Sequence, residues 1–134
     1  MKLRIHGNSV RLRLSRTDMQ TFAQTGLIQE AIQFAPESRL SYALQCAPSV
    51  EAVQVHYEHG VITILIPVKV AREWISSDEV GISSATAAGP SLLIEKDFRC
   101  LHREEDLAQD DAFPNPLDSV AHGIRSALPK NGES

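Results

Sequence analysis

The chain is poor in several things, and each shortage narrows what it can be. Its two cysteines, Cys46 and Cys100, lie 54 positions apart, too few and too distant for a disulfide framework, so reduced thiols in a cytoplasmic protein are expected. No stretch approaches the roughly 18 consecutive apolar residues of a membrane-spanning helix. The opening Met1-Lys2-Leu3-Arg4-Ile5-His6 has no apolar run of signal-peptide length. Neither a membrane protein nor a secreted one is expected. Aromatics make up only 5% of the chain, and Trp74 and Tyr57 do not read as the interleaved, exposed platform on which bases stack. A P-loop, a Gly-x-Gly-x-x-Gly turn and a Gly-x-Ser-x-Gly elbow are all missing. There is also no internal repeat and no low-complexity tract.

What remains is an ordinary globular composition, 43% hydrophobic and 22% charged over 134 residues. A chain of this length buries about two-thirds of its unfolded surface, so it needs no metal, disulfide or cofactor to fold. The charge, however, is unevenly spread. Residues 1–17 carry Lys2, Arg4, Arg11, Arg13 and Arg16 and no acid, a net +5. Residues 103–118 set Arg103 against six carboxylates, a net −5. With a total of −4, long-range attraction to a nucleic acid is not expected.

Hydrophobic periodicity predicts mostly strands. Leu3 and Ile5 alternate before Gly7-Asn8, and Val10, Leu12 and Leu14 after it, a hairpin closed by a primed turn. With His6 opposite Ser9, Lys2, Arg4, Arg11 and Arg13 emerge from one face. Ser15-Arg16-Thr17-Asp18 has the form of a capping box and Gly26 that of a terminator, so a helix is predicted over about 16–25. Leu27 to Phe34 alternates again, with Glu30 on the same side as Ile28 and Ile32. Leu40, Tyr42, Leu44 and Cys46 mark another half-buried strand. Val53 to Ile66 reads as a hairpin turning at His59-Gly60, with Tyr57 opposite Ile62. A second helix is predicted over about 68–76, Trp74 and Tyr57 being read as core anchors. Short and long strands follow at Val80 to Ser83 and Ser91 to Leu101. Residues 1–102 are thus expected to form a single α+β domain. It should be a mainly antiparallel curved sheet or small open barrel of hairpins, with two or three short helices. Residues 103–134 read as an acidic, Pro-containing segment ending in a helix or tail.

The runs Lys2-Leu3-Arg4-Ile5-His6-Gly7-Asn8-Ser9-Val10-Arg11-Leu12-Arg13-Leu14 and Leu92-Leu93-Ile94-Glu95-Lys96-Asp97-Phe98-Arg99-Cys100-Leu101 occur here with Phe113-Pro114-Asn115-Pro116. Together they resemble a small family of uncharacterised bacterial proteins, over residues 1 to about 116. The resemblance implies a bacterial, cytoplasmic, single-domain protein. It carries no activity, ligand or catalytic residue.

Candidate chemistry is sparse. Cys100 and His102, with Cys46 and Asp97 as further donors, offer one loose metal-ligand pair, whereas a structural zinc site needs two tight ones. The same Cys100/His102 pair could serve as a nucleophilic dyad only with the thiol and imidazole in contact. The basic hairpin is the stronger candidate. Lys2, Arg4, Arg11 and Arg13, with Glu30 and with Glu95 or Lys96 nearby, would suit a phosphate or carboxylate, because arginine offers an oxyanion a planar fork of donors. The expected function is a non-enzymatic binding module whose basic face meets a phosphate-bearing ligand, an acidic protein partner or the chain's own acidic segment. A small hydrolase acting on a phosphorylated substrate inside a charged barrel is the alternative, although the Glu-x-Glu-x-Lys start of triphosphate-binding barrels is missing.

Overall fold

Turn chemistry sets the first pairing. In the computed structural model, Gly7 adopts a φ of 55° and reverses the chain between β1 (Lys2–His6) and β2 (Ser9–Leu14). Asn8 is not left-handed, so only the first loop residue has positive φ, the pattern of a II′ turn. The register is the one predicted: Lys2 faces Arg13, Leu3 Leu12, Arg4 Arg11, Ile5 Val10 and His6 Ser9. The structure describes residues 1–85, 88–98 and 113–115. Residues 1–98 form one unit and 99–134 a second. In the second, Phe113, Pro114 and Asn115 are exposed and lie outside helix and strand. Cys100, His102 and the predicted final helix lie outside the described residues.

Helix α1 (Arg16–Thr25) starts with a complete capping box: Asp18 N–H donates to Ser15 Oγ at 3.1 Å, and Ser15 N–H donates to Asp18 Oδ2 at 2.9 Å. Such a cap contributes about 1 kcal/mol by satisfying amides that no helical carbonyl reaches. Gly26, at φ 75°, ends the helix by donating its N–H to Phe22 O at 2.8 Å. Then come β3 (Leu27–Ala35), β4 (Ser38–Ala47), β5 (Gln54–Glu58), β6 (Val61–Pro67), α2 (Val68–Ser76), β7 (Gly81–Ser84) and β8 (Ser91–Lys96). His59 and Gly60, at φ 52° and 77°, turn β5 into β6 and set Tyr57 opposite Ile62.

The sheets depart from the mainly antiparallel expectation. There are two, ordered β1-β2-β8-β7 and β3-β4-β6-β5, neither of them closed, and each is mixed. Hairpins supply the antiparallel pairs, but β2 runs parallel to β8 and β4 parallel to β6. Turn residues specify only neighbours in sequence. The parallel pairs join hairpins far apart in the chain, where no local signal speaks.

Although the sequence shows no repeat, the order of elements repeats. β1-β2-α1-β3-β4 and β5-β6-α2-β7-β8 follow the same plan, and exchanging them turns one sheet's strand order into the other's. Phe22 and Trp74 each stand eight residues beyond a fully buried residue near the end of the preceding strand, Leu14 and Ile66. Their rings meet edge to face, 6.5 Å apart. Leu12, Leu14, Ile82, Leu92 and Ile94 of one sheet share the core with Ile28, Leu44, Ile64 and Ile66 of the other, and Phe22, Ala71 and Trp74 join them from the helices.

Two smaller expectations fail for identifiable reasons. Tyr57 is no core anchor: it is 69% exposed, on an edge strand beside the hairpin turn. The last strand stops at Lys96 rather than running on, because its partner β2 ends at Leu14, opposite Lys96. Asp97 N–H makes one further bond, to Leu14 O at 2.8 Å, and Phe98 lies outside the sheet.

Candidate anion-binding site

Strand alternation places the bases. Leu12 and Leu14 are buried in the core, so Arg11 and Arg13 point to the opposite face of the sheet. The hairpin register sets Arg4 beside Arg11 and Lys2 beside Arg13 on that same face. All four line a depression of about 280 Å³, with Leu3 at its edge.

Like charges opposed across a ladder are destabilising unless something neutralises them. Strand β8 does so. Its parallel register brings Leu93 beside Arg11 and Glu95 beside Arg13. One oxygen of Glu95 accepts from Arg11 Nε in a short contact and from Arg13 Nε at 3.3 Å. Glu95 is only 12% exposed, which strengthens these bonds relative to a surface ion pair. Asp97 accepts from Lys2 Nζ at 3.2 Å, a pair that is mostly in water on the lysine side. Among the described residues, Arg4 has no ion-pair partner. Glu95 and Asp97 thus pair, among the described residues, with Lys2, Arg11 and Arg13 of this face.

Glu30 is engaged elsewhere. It accepts from the Met1 ammonium at 2.7 Å and from the Tyr42 hydroxyl at 3.3 Å, and it does not line the basic depression. Asp18 contacts the same ammonium at 2.8 Å. Burial alone would lower the ammonium's pKa, but the hydrogen bonds and charges of Asp18 and Glu30 outweigh it and hold the pKa above its ordinary value. Asp18 behaves in the complementary way: burial would raise its pKa, yet the ammonium and the two hydrogen bonds to Ser15 bring it down. Tyr42 is pushed up, by burial first and then by the charge and hydrogen bond of Glu30.

The sequence groups the four bases on one face and offers Glu95 among their neighbours, but it does not single out Glu95 and Asp97 as their ion-pair partners. Leu92 and Ile94 alternate visibly, so Glu95 and Asp97 can be placed on the other face of β8. That this face continues the one carrying Arg11 and Arg13 follows only from β2 lying beside β8. No signal ties Met1 to Asp18 and Glu30. The remaining candidates are dispersed. Cys46 is half-buried and forms no disulfide among the described residues, Asp97 is committed to Lys2, and no group of three metal-ligating side chains occurs among the described residues. His6 and His59 are exposed beside the turns, and His56 meets Gln54 Oε1 at 3.2 Å.

One family model matches residues 1–117, nearly the span over which the resemblance was found. The chain belongs to DUF7009, a family of unknown function. The DUF7009 match takes in both sheets, and with them every residue of the basic face. No curated protein and no solved structure matches the chain. Among the described residues, no helix is long and apolar enough to cross a membrane.

Proposed function

We propose that the protein is a non-enzymatic binding module that receives a phosphate or carboxylate group on the outer face of the β1-β2 hairpin. The observation carrying this is the cluster of cations there, with Arg4 lacking a carboxylate partner among the described residues beside an Arg11 and Arg13 that Glu95 holds in place. A guanidinium fixed in orientation loses little freedom when it grips an oxyanion, and its planar donors match the two oxygens presented. At about 280 Å³ the depression lies just under the ~300–1,000 Å³ of pockets that enclose a whole small molecule, so it suits the anionic end of a ligand. The bases lie on the sheet face turned away from the core, and neither sheet closes. A charged interior of the kind a barrel hydrolase uses therefore has nothing to support it.

Tripolyphosphate and citrate serve as probes. Each should raise the melting temperature of the full chain at low salt, and the shift should shrink as salt rises. Arg4→Glu should abolish the shift without lowering the unliganded melting temperature, because Arg4 has no ion pair to lose among the described residues and the like-charge pairing with Arg11 is relieved. Equal shifts for wild type and Arg4→Glu, or none for wild type, would refute the site.

A further inference from the structure

We infer that β3 is the pairing edge of a homodimer, which it forms by adding antiparallel to β3 of a second copy about Ala31. The backbone pattern identifies the free groups. Cys46 N–H donates to Gly26 O at 2.8 Å, and alternation from that bond turns the N–H and C=O of Ile28, Glu30 and Ile32 toward β4. Those of Leu27, Gln29, Ala31 and Gln33 therefore point out from the sheet edge. Leu27 is already engaged, since Thr25 Oγ1 accepts from its N–H at 3.2 Å and shares its one proton between Thr21 O and Leu27 O, each at 2.8 Å. At the other end a bulge between Gln33 and Ala35 breaks the register, and the Gln33 side chain turns back to donate to Ala35 O at 2.5 Å. Between these stops, among the described residues, lies an open window from Gln29 to Gln33 that is symmetric about Ala31.

That symmetry is what a twofold contact requires. Ala31 would face Ala31 of the second copy, and Gln29 would face its Gln33. Both N–H and C=O of the three outward residues would then be used in each copy. On one face only amides and methyl groups meet; on the other, Glu30 of each copy faces Ile32, so no like charges are opposed. Sheet edges are ordinarily protected by charge or by shortness. The other three edges have such protection: β1 carries Lys2 and Arg4, β5 is five residues long with Glu58 at its end, and β7 has four residues. β3 runs for nine residues, and its one charged side chain, Glu30, is held by Met1. Ile32 and Phe34, 48% and 66% exposed, stand at this edge with nothing over them among the described residues.

Sedimentation of the full chain from about 5 to 500 μM tests the inference, because a contact this short suits micromolar affinity. The wild-type mass should climb from 14.7 kDa toward twice that value. Ala31→Lys, which sets two ammonium groups across the twofold at an exposed position, should remain monomeric with unchanged circular dichroism and melting. Should that variant fold poorly, Ala31→Pro removes the same outward N–H without touching the bonds to β4. Hydrogen exchange at Ala31 and Gln33 should slow with concentration in the wild type alone. A wild-type chain monomeric throughout, or a dimer that survives both substitutions, overturns the proposal.

Discussion

At the scale of single residues, the Met1 ammonium joins two carboxylates in a contact that depends on pH. Held above the ordinary α-amino value of about 8, it contributes stability that is complete below that pH and is lost as the pH climbs through its raised pKa. Asp18 works in the other direction. Its lowered pKa means a contribution complete above about pH 4 and lost as the pH falls through the folded-state value. For a chain with a free Met1 amine, urea midpoints between pH 5 and 10 should therefore decline on the alkaline side, and Asp18→Asn should flatten that decline. An undiminished alkaline decline in the variant would show that Asp18 is not its source.

At the scale of elements, β8 decides how the basic face is arranged, and Gly81 decides how closely β7 packs against it. A Cβ at Gly81 would stand 2.9 Å from Ile94 O and 3.1 Å from Glu95 Cβ, both fixed by the ladder. Gly81→Ala should cost about 1–3 kcal/mol, as overpacking does elsewhere, and should weaken tripolyphosphate binding by displacing Glu95. Denaturant titration reads the first effect and calorimetry the second. This scale also shows where sequence reasoning runs out. Both helices and the two hairpins closed by Gly7-Asn8 and His59-Gly60 are legible because their signals are local: a cap, a terminator, a left-handed turn, a period. The grouping of Lys2, Arg4, Arg11 and Arg13 follows from the same turn. The parallel contacts, and so the places of Glu95 and Asp97, depend on which distant hairpins meet. Burial settles that, and alternation looks identical for either neighbour.

For the whole molecule, the contact between Phe22 and Trp74 links the two halves of the repeated plan. Each ring is almost completely buried, and Trp74 also donates its indole N–H to Val80 O at 3.2 Å. Phe22→Ala should cost about 3–5 kcal/mol, a large part of the roughly 5–15 kcal/mol that holds a domain together. Because Trp74 is the chain's one tryptophan, its emission reports on this core directly. In urea, the fluorescence and far-ultraviolet circular dichroism transitions should coincide in the wild type and shift down together in the variant. Separate transitions would mean that the two halves unfold independently.

The pairing of Ser9 with Ser91 also bears on how the chain is made. During synthesis the first hairpin leaves the ribosome long before β8 exists, and until then its arginines lack Glu95 while one side of β2 is bare. The second sheet, whose strands all lie between Leu27 and Pro67, can assemble earlier. Translation thus gives the nascent protein a half-finished stage in which Arg11 and Arg13 await their carboxylate and β2 awaits its neighbour, and arrival of the last strand ends both conditions at once.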